Sequence, residues 1–436
     1  MNQKSKKSLT FHVVNLGCRV NAFESTVITD MMIKEGYQLV DFDHANIFIV
    51  NTCTVTARAD AKVRNIINKI NRSPQKQILV IIGCYSQINY QYAALKAEIV
   101  LGNKFKNTIP QLIKEYLTNK KPIVKVDTLA TERNFEELPV YSFCENTRAV
   151  IKIQDGCDFM CSYCLIPHAR GRQRSLDHIK ILDTIKNLVK VGFYEIVLTG
   201  VNTAGYLDTN NYTFYDLLVD VNKLPGNFRV RISSIEPFQI NKQIIDLVTN
   251  NKRFAQEFHL CIQCANDQVL KDMNRKYTVQ EFLELVNYIR NLNPLMSITT
   301  DYIVGYSTES HEQFLDSVKN LEKIKFAFMH IFPYSKREKT VGSFLENIVS
   351  DEQKFKRTKQ ITMLANKHTK QYLEQFVNQI VEVYFEHSKN PEIQQGHSQY
   401  FFVVFVKSKT NLQHQVKQVR ITKITEQNEV FGELVN

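Results

Sequence analysis

AVIKIQDGCDFMCSYC, residues 149 to 164, runs a short β-branched strand straight into a loop that carries Cys157, Cys161 and Cys164. Strand and helix then alternate for over 200 residues: the helix-like LDHIKILDTIKNLVKVG, followed by strands in EIVLTG, RVRISS, EFHLCI, SITTDYIVG and FAFMHIFPY. Repetition at this spacing predicts a parallel barrel, complete or partial. Upstream, LTFHVVNLG (9–17), NIFIVNT (46–52) and QILVIIG (77–83) are apolar runs, each leading into a helix-compatible stretch, which predicts an α/β domain with a mostly parallel sheet. Downstream, a long charged helix near 351 to 376 leads to QIVEVYFEH, QYFFVVFVK, KQVRITKIT and EVFGELV, which have no helical period and predict a small antiparallel β-barrel. The expected division is an α/β multidomain chain: a parallel α/β domain over 1–120, a linker over 121–140, the barrel over 141–373 and the small barrel over 374–436.

The 436 residues are 44% apolar, 23% charged and 11% aromatic, with no Trp and no low-complexity segment. This excludes a mostly disordered or fibrous chain and suits two or three domains. No window reaches the roughly 18–20 consecutive apolar residues of a membrane span, and MNQKSKKSLTFHVV has no apolar signal core, so a cytoplasmic protein off the membrane is expected. Nine cysteines, odd in number and clustered, fit reduced thiols serving as metal ligands better than a disulfide framework. The net charge of +11 is uneven: +7 over residues 1–140, +5 over 141–373 and −1 over the tail. A polyanionic partner would therefore meet chiefly the first domain.

Three thiolates converging from one loop at CxxxCxxC spacing can hold three irons of a cubane cluster and leave the fourth without a protein ligand. An open iron admits the amino and carboxylate groups of S-adenosylmethionine (SAM), so that an electron can cleave the sulfonium and release a 5′-deoxyadenosyl radical. The structural alternative is a zinc knot borrowing His168, but zinc sites usually pair their thiols as CxxC. The aromatic Tyr163, just before the last cysteine, strengthens the radical reading.

A second constellation is spread out. Cys18, Cys53 and Cys84 each follow one of the first domain's predicted strands, and in a right-handed parallel sheet those carboxyl ends share an edge. Three thiols therefore converge, which favours a second 4Fe-4S cluster with an exchangeable position over three independent buried cysteines.

With both constellations in this order, the chain resembles the radical SAM methylthiotransferase family over nearly its whole length. The likeness rests on LGCRVNAFES (16–25), VNTCTVT (50–56), GCYSQ (83–87), IQDGCDFMCSYCLIPHARGRQRS (153–175), VLTGVNTAGY (197–206), RISSIEP (231–237), DYIVGYSTES (301–310) and HIFPYSKREKT (330–340). It implies that Cys18, Cys53 and Cys84 ligate an auxiliary cluster and that Cys157, Cys161 and Cys164 ligate the SAM cluster. It also implies a partial barrel core, and a tail equivalent to the family's TRAM domain, an OB-like RNA-binding barrel. The Arg19-Val20-Asn21 run is most similar to the MtaB branch, which adds a methylthio group to C2 of N6-threonylcarbamoyladenosine at tRNA position 37. The MiaB-like branch, acting on the isopentenyl adenosine, and the RimO-like branch, acting on a ribosomal protein aspartate, are the nearer alternatives; a non-catalytic iron-sulfur electron carrier or RNA-binding protein is the farther one. Adenine C2–H is neither acidic nor electrophilic enough for easy polar substitution, so a radical route makes chemical sense. The partners implied are the tRNA anticodon loop, a reducing electron donor and a sulfur source, with the chain acting as a monomer.

Around the clusters, Tyr163, Gly200, Glu236 and Gly305 are candidate SAM contacts, the glycines because a residue without Cβ lets backbone approach a ligand closely. Glu236 is equally readable as a solvated strand-end charge. Arg170, Arg172 and Arg174 are candidates for facing RNA phosphate or for stabilising the electron-rich cluster region. In the tail, Tyr400, Phe401, Phe402 and Phe405 are base-stacking candidates, against the commoner role of strand aromatics in a core. Two departures from the family pattern stand out: Cys261 and Cys264 where the family shows serines in LSLQSGSD, with Gln263 keeping its place, and Ser307-Thr308 where it shows Pro-Gly. The CxxC invites a zinc or redox reading, but no second pair lies nearby, and replacements near the substrate cavity are expected. Cys144 stands alone as a bystander.

Overall fold

The computed structural model describes residues 9–138 and 147–435. The first sheet is parallel, built from β1 (Thr10–Asn15), β2 (Gln38–Leu39), β3 (Ile47–Thr52), β4 (Ile78–Gly83), β5 (Ile99–Leu101) and β6 (Ile123–Lys125) in the order β2-β1-β3-β4-β5-β6. β3 and β4 are buried at every residue, as strands covered on both faces must be. Over one face lies the helix Ala57–Asn71, its Thr56 hydroxyl accepting from the Ala59 amide and its Val63, Ile67 and Ile70 packed with Phe48, Val50, Leu79 and Ile81. β6 corrects the expected linker: Ile123–Lys125 pairs with β5 as the sheet's edge, so the first domain runs past residue 120. Both β2 and β6 are too short and too exposed to leave a periodic signal.

The central strands are β7 (Ala149–Lys152), β8 (Gln154–Asp155), β9 (Arg174–Ser175), β10 (Glu195–Thr199), β11 (Arg229–Ile232), β12 (Glu257–His259), β13 (Ser297–Val304) and β14 (Phe328–Pro333). β11-β10-β7 and β12-β13-β14 are parallel sheets, and the bridges Val230–Phe254 and Ile235–Leu260 join them into an open, partial barrel. Its helices begin on strong signals: Thr213 with Asp216, Thr278 with Glu281 and Ser310 with Gln313 form capping boxes. The short antiparallel β8–β9 pair, unanticipated, closes the base of the three-cysteine loop.

The tail is a closed barrel of β15 (Ile380–Glu386), β16 (Ile393–Ser398), β17 (Val403–Lys407), β18 (Val416–Ile424) and β19 (Val430–Leu434), in the order β15-β16-β17-β19-β18. Only β17–β19 is parallel, so the all-antiparallel expectation is corrected in that one pair. β16, IQQGHS, was not expected, because the residues it buries are Gln394, Gly396 and Ser398 rather than apolar ones. The expected strand QYFFVVFVK starts only at Val403; Gln399 to Phe402 form the β16–β17 turn, with Phe401 at φ +82°.

That turn seats on the amino-terminal floor of the central barrel. Ser398 O accepts from Arg231 at 3.1 Å, Gln399 O from the Gln256 amide at 2.8 Å, and Glu382 pairs with Arg229 at 3.1 Å. Arg229 and Arg231 are themselves buried against Glu195 and Glu257. Among the described residues no helix is long and apolar enough to cross a membrane. Cys144 lies outside the described residues.

Candidate metal centres and active site

The carboxyl edge of the first sheet delivers the three spread cysteines together. Cys18 caps the helix Arg19–Lys34 just after β1, Cys53 follows β3, and Cys84 begins the short helix after β4. Two asparagines from the flanking motifs lock this edge: Asn21 Nδ2 donates to Asn51 Oδ1 at 2.7 Å, and Asn51 Nδ2 returns a bond to Asn21 O at 3.0 Å. Gly83 is required here, with φ +100° and a site where a Cβ would lie 2.7 Å from Thr52 O. Burial pushes the Cys53 thiol up to about 11, and Cys84 and Cys18 lie close enough to push it in the same direction.

The second trio sits on a loop tied down at both ends. The Cys157 amide donates to Gly171 O at 3.0 Å, the Ser162 amide to Met273 O at 3.0 Å, and Asn274 Nδ2 to Met160 O at 2.8 Å. Gly156, at φ +70°, leaves no room for a Cβ, which would sit 1.9 Å from Arg172 O. Cys157, Cys161 and Cys164 are partly exposed and unpaired by disulfides, and burial pushes Cys157 up to about 12. A thiol raised as far as that of Cys157 or Cys53 holds its proton at neutral pH, so a soft cationic centre is what would make its thiolate stable. Both donor sets, three sulfurs each, suit iron-sulfur ligation.

A buried ionic bridge joins the two trios. Arg170, on the short helix after Cys164, reaches Glu24 at 3.1 Å and Asp155 at 3.0 Å, and donates to Asn21 Oδ1 at 3.3 Å. Lys152 meets the same two carboxylates at 3.2 and 3.1 Å, and Lys106 reaches Glu24 at 3.4 Å. These cations hold Glu24 and Asp155 well below the usual carboxylate range in spite of their burial. Asn103 completes the link, donating to Ala169 O at 2.7 Å beside the Cys84 sulfur at 3.5 Å.

Comparison with known proteins matches residues 10–102 to the Uncharacterized protein family UPF0004 and residues 151–321 to the Radical SAM superfamily. The threonylcarbamoyladenosine tRNA methylthiotransferase MtaB of Bacillus subtilis (strain 168) is 33% identical, over 95% of this chain and 94% of that protein. The chain belongs to the radical SAM methylthiotransferase family. A tRNA-2-methylthio-N(6)-dimethylallyladenosine synthase of Thermoanaerobacter pseudethanolicus (strain ATCC 33223 / 39E) is 32% identical over 87% of this chain and 83% of its own length. The radical S-adenosylmethionine methyltransferase TsrM of Kitasatospora setae shares the fold, with TM-score 0.54 at 15% identity over 74% of this chain and 73% of that chain. A methylthiotransferase of this family is an enzyme that uses SAM and an iron-sulfur cluster.

Within this methylthiotransferase fold, several expected roles change. Arg170 and Arg174 are 1% and 5% exposed, so neither faces RNA phosphate: Arg170 is spent on Glu24 and Asp155, and Arg174 on Asp155 at 3.5 Å and the Arg170 and Arg172 carbonyls. Arg172 is half exposed beside Asp158. A Cβ on Gly200 would fall 2.8 Å from Gln154 Oε1, and one on Gly305, at φ +71°, 2.6 Å from Lys354; each glycine thus has a packing reason of its own. Tyr163 is partly buried, its hydroxyl 3.5 Å from Arg275.

Glu236 is no solvated charge, since Arg275 clamps it with both guanidinium ends. Arg275 was not foreseen. It is buried 3.4 Å from the Cys161 sulfur and donates to Cys261 O at 3.0 Å, tying the cysteine loop to the barrel. A basic residue in MNRKY carries no local sign of such a role.

Cys261 and Cys264 do not act as a pair: Cys261 faces Asp301 at 4.0 Å, whereas Cys264 faces Ser317 at 3.7 Å. Of the tail aromatics, Phe402 is core, Tyr400 packs on Phe376, and Phe401 turns inward over Arg231 at 5.4 Å, so these three are not presented to a base from the tail's surface. Phe405 stays half-buried and packs against Phe431.

Proposed function

We propose that this chain attaches a methylthio group to C2 of N6-threonylcarbamoyladenosine at position 37 of tRNA. The observation that carries the reading is the pair of three-cysteine sites facing one domain junction, bridged by Arg170. Cys157, Cys161 and Cys164 would hold a 4Fe-4S cluster that binds SAM, and Cys18, Cys53 and Cys84 a second, auxiliary one. When bound, these groups supply a 5′-deoxyadenosyl radical, a methyl group and sulfur for C–S bond formation.

The chain's own residues bind, orient and enclose. Arg275 holds Glu236 and the Cys161 loop in one place, which fixes where SAM would lie against the barrel lumen. The Arg170 bridge keeps the two cysteine sites in a constant relation across the domain junction. The tail turn seats on the floor of the barrel, where the Ser398 and Gln399 carbonyls accept from Arg231 and from the Gln256 amide. The target base would be splayed out of a single-stranded loop, and the basic first domain would meet the anticodon arm's phosphates. The tail is read as a TRAM-like RNA-binding barrel, Arg172 as a phosphate contact, and Tyr163, Gly200 and Gly305 as neighbours of SAM. The enzyme would work in the cytoplasm as a monomer, served by a reducing electron donor and a sulfur source.

Mass spectrometry of tRNA nucleosides from cells with and without the gene tests this. Loss of the methylthio form of threonylcarbamoyladenosine, with its unthiolated parent accumulating, is expected. Loss of the isopentenyl methylthio derivative instead would overturn the substrate. If neither nucleoside changes, a ribosomal protein substrate is next.

A further inference from the structure

Between the helix Arg19–Lys34, the inner face of β7, β10 and β11, and the tail's Phe401 turn lies a cavity of about 670 Å³. This is the size of a pocket that takes a nucleoside-sized ligand. Three arginines line it, and two are already neutralised: Arg148 pairs with Glu386 at 2.8 Å, and Arg231 with Glu195 and Glu257 at 2.9 and 2.6 Å.

Arg19 is different. It is exposed to the cavity; among the described residues its one hydrogen bond is a long one to Ser233 Oγ at 3.4 Å, and no carboxylate lies within ion-pair distance of it. The negative charges that act on it are engaged elsewhere, Glu257 with Arg231 and Asp301 with His259 at 3.4 Å. Its guanidinium stands over the Phe401 ring, 5.8 Å from the centroid. A guanidinium backed by an aromatic face keeps its edge N–H groups for a planar two-oxygen acceptor. Arg19 also follows Cys18 directly, so its side chain leaves from the edge where the auxiliary thiols meet.

We infer that Arg19, backed by Phe401, is the specificity residue that receives the free carboxylate of the threonylcarbamoyl arm on the target base. The assignment rests on the proposed function. A neutral isopentenyl arm offers nothing to such a group and would leave its charge without a partner in a confined cavity, so the same arginine selects against that base.

The test uses the reconstituted full-length enzyme and two synthetic anticodon stem-loops that differ only in the arm: the free acid and its neutral methyl ester. For the wild type, kcat/KM on the acid should exceed that on the ester by about ten- to hundredfold, the range of a charged hydrogen bond. Arg19→Gln should erase this preference by losing turnover on the acid, and Arg19→Lys, which keeps the charge, should restore much of it. If Arg19→Gln keeps the preference, or if it weakens acid and ester equally, the inference is overturned; the second result is what an arginine facing a backbone phosphate gives. A wild type that ignores both RNAs and modifies an isopentenyladenosine stem-loop overturns the proposed function itself, and this assignment with it.

Discussion

Arg170 and Glu24, 146 positions apart, meet at 3.1 Å with side chains at most 1% exposed. One ends the short helix that follows Cys164; the other is on the helix that Cys18 caps. With Asp155, Lys152 and Lys106 they make a buried set of charges in which every member leans on the others. The junction is therefore specific in its geometry and intolerant of partial loss.

Breaking one partner strands a buried charge. Arg170→Met should cost about 3–5 kcal/mol of stability, seen as a lower urea midpoint, and should lower the iron retained at Cys18, Cys53 and Cys84 after reconstitution. Iron content equal to wild type at an unchanged midpoint would contradict the bridge's role.

The same set makes a prediction about acid. Glu24 and Asp155 are depressed in the fold, so the stability they contribute is fully present above their unfolded pKa of about 4 and is lost as pH falls through the lower folded values. Melting temperature should show no loss from these groups between pH 8 and 5 and should fall below about pH 4. Glu24→Gln should melt lower at pH 7, with the gap to wild type closing in acid.

Removing each cysteine trio should separate the two halves of the chemistry. Cys18→Ala, Cys53→Ala and Cys84→Ala together should roughly halve the bound iron and abolish methylthiolated RNA while 5′-deoxyadenosine still forms with dithionite and SAM. The matching change at Cys157, Cys161 and Cys164 should abolish 5′-deoxyadenosine.

Arg275→Lys retains a charge but loses the fork that holds Glu236 and reaches the Cys161 sulfur. SAM cleavage should drop at least about tenfold, the order of one charged hydrogen bond. The circular dichroism spectrum should stay that of wild type.

Much of this architecture was legible because its signals are local. The strands that became β3, β4, β7, β10 and β13 are apolar runs bounded by helices, and cysteines placed at strand ends have few places to go in a parallel sheet. What stayed hidden has a common cause. β6 and β16 are short or bury polar residues, so no period marks them. Arg170, Arg174 and Arg275 look like surface basic residues because their carboxylate partners, among them Glu24 and Glu236, lie far away in sequence. Phe401 reads as a base-stacking residue because nothing in QYFFVVFVK marks the left-handed turn that faces it inward over Arg231.

The inward turn of the tail gives the β16–β17 connection two duties. It belongs to the domain read as the RNA grip, and it is also the foot on which the central barrel's buried arginines rest. Cutting the tail away would then do more than slacken hold on the nucleic acid. It would also strip Arg229 and Arg231 of Glu382 and of the Ser398 carbonyl, so hold on the nucleic acid and the footing of the barrel's buried charges are altered together in this fold.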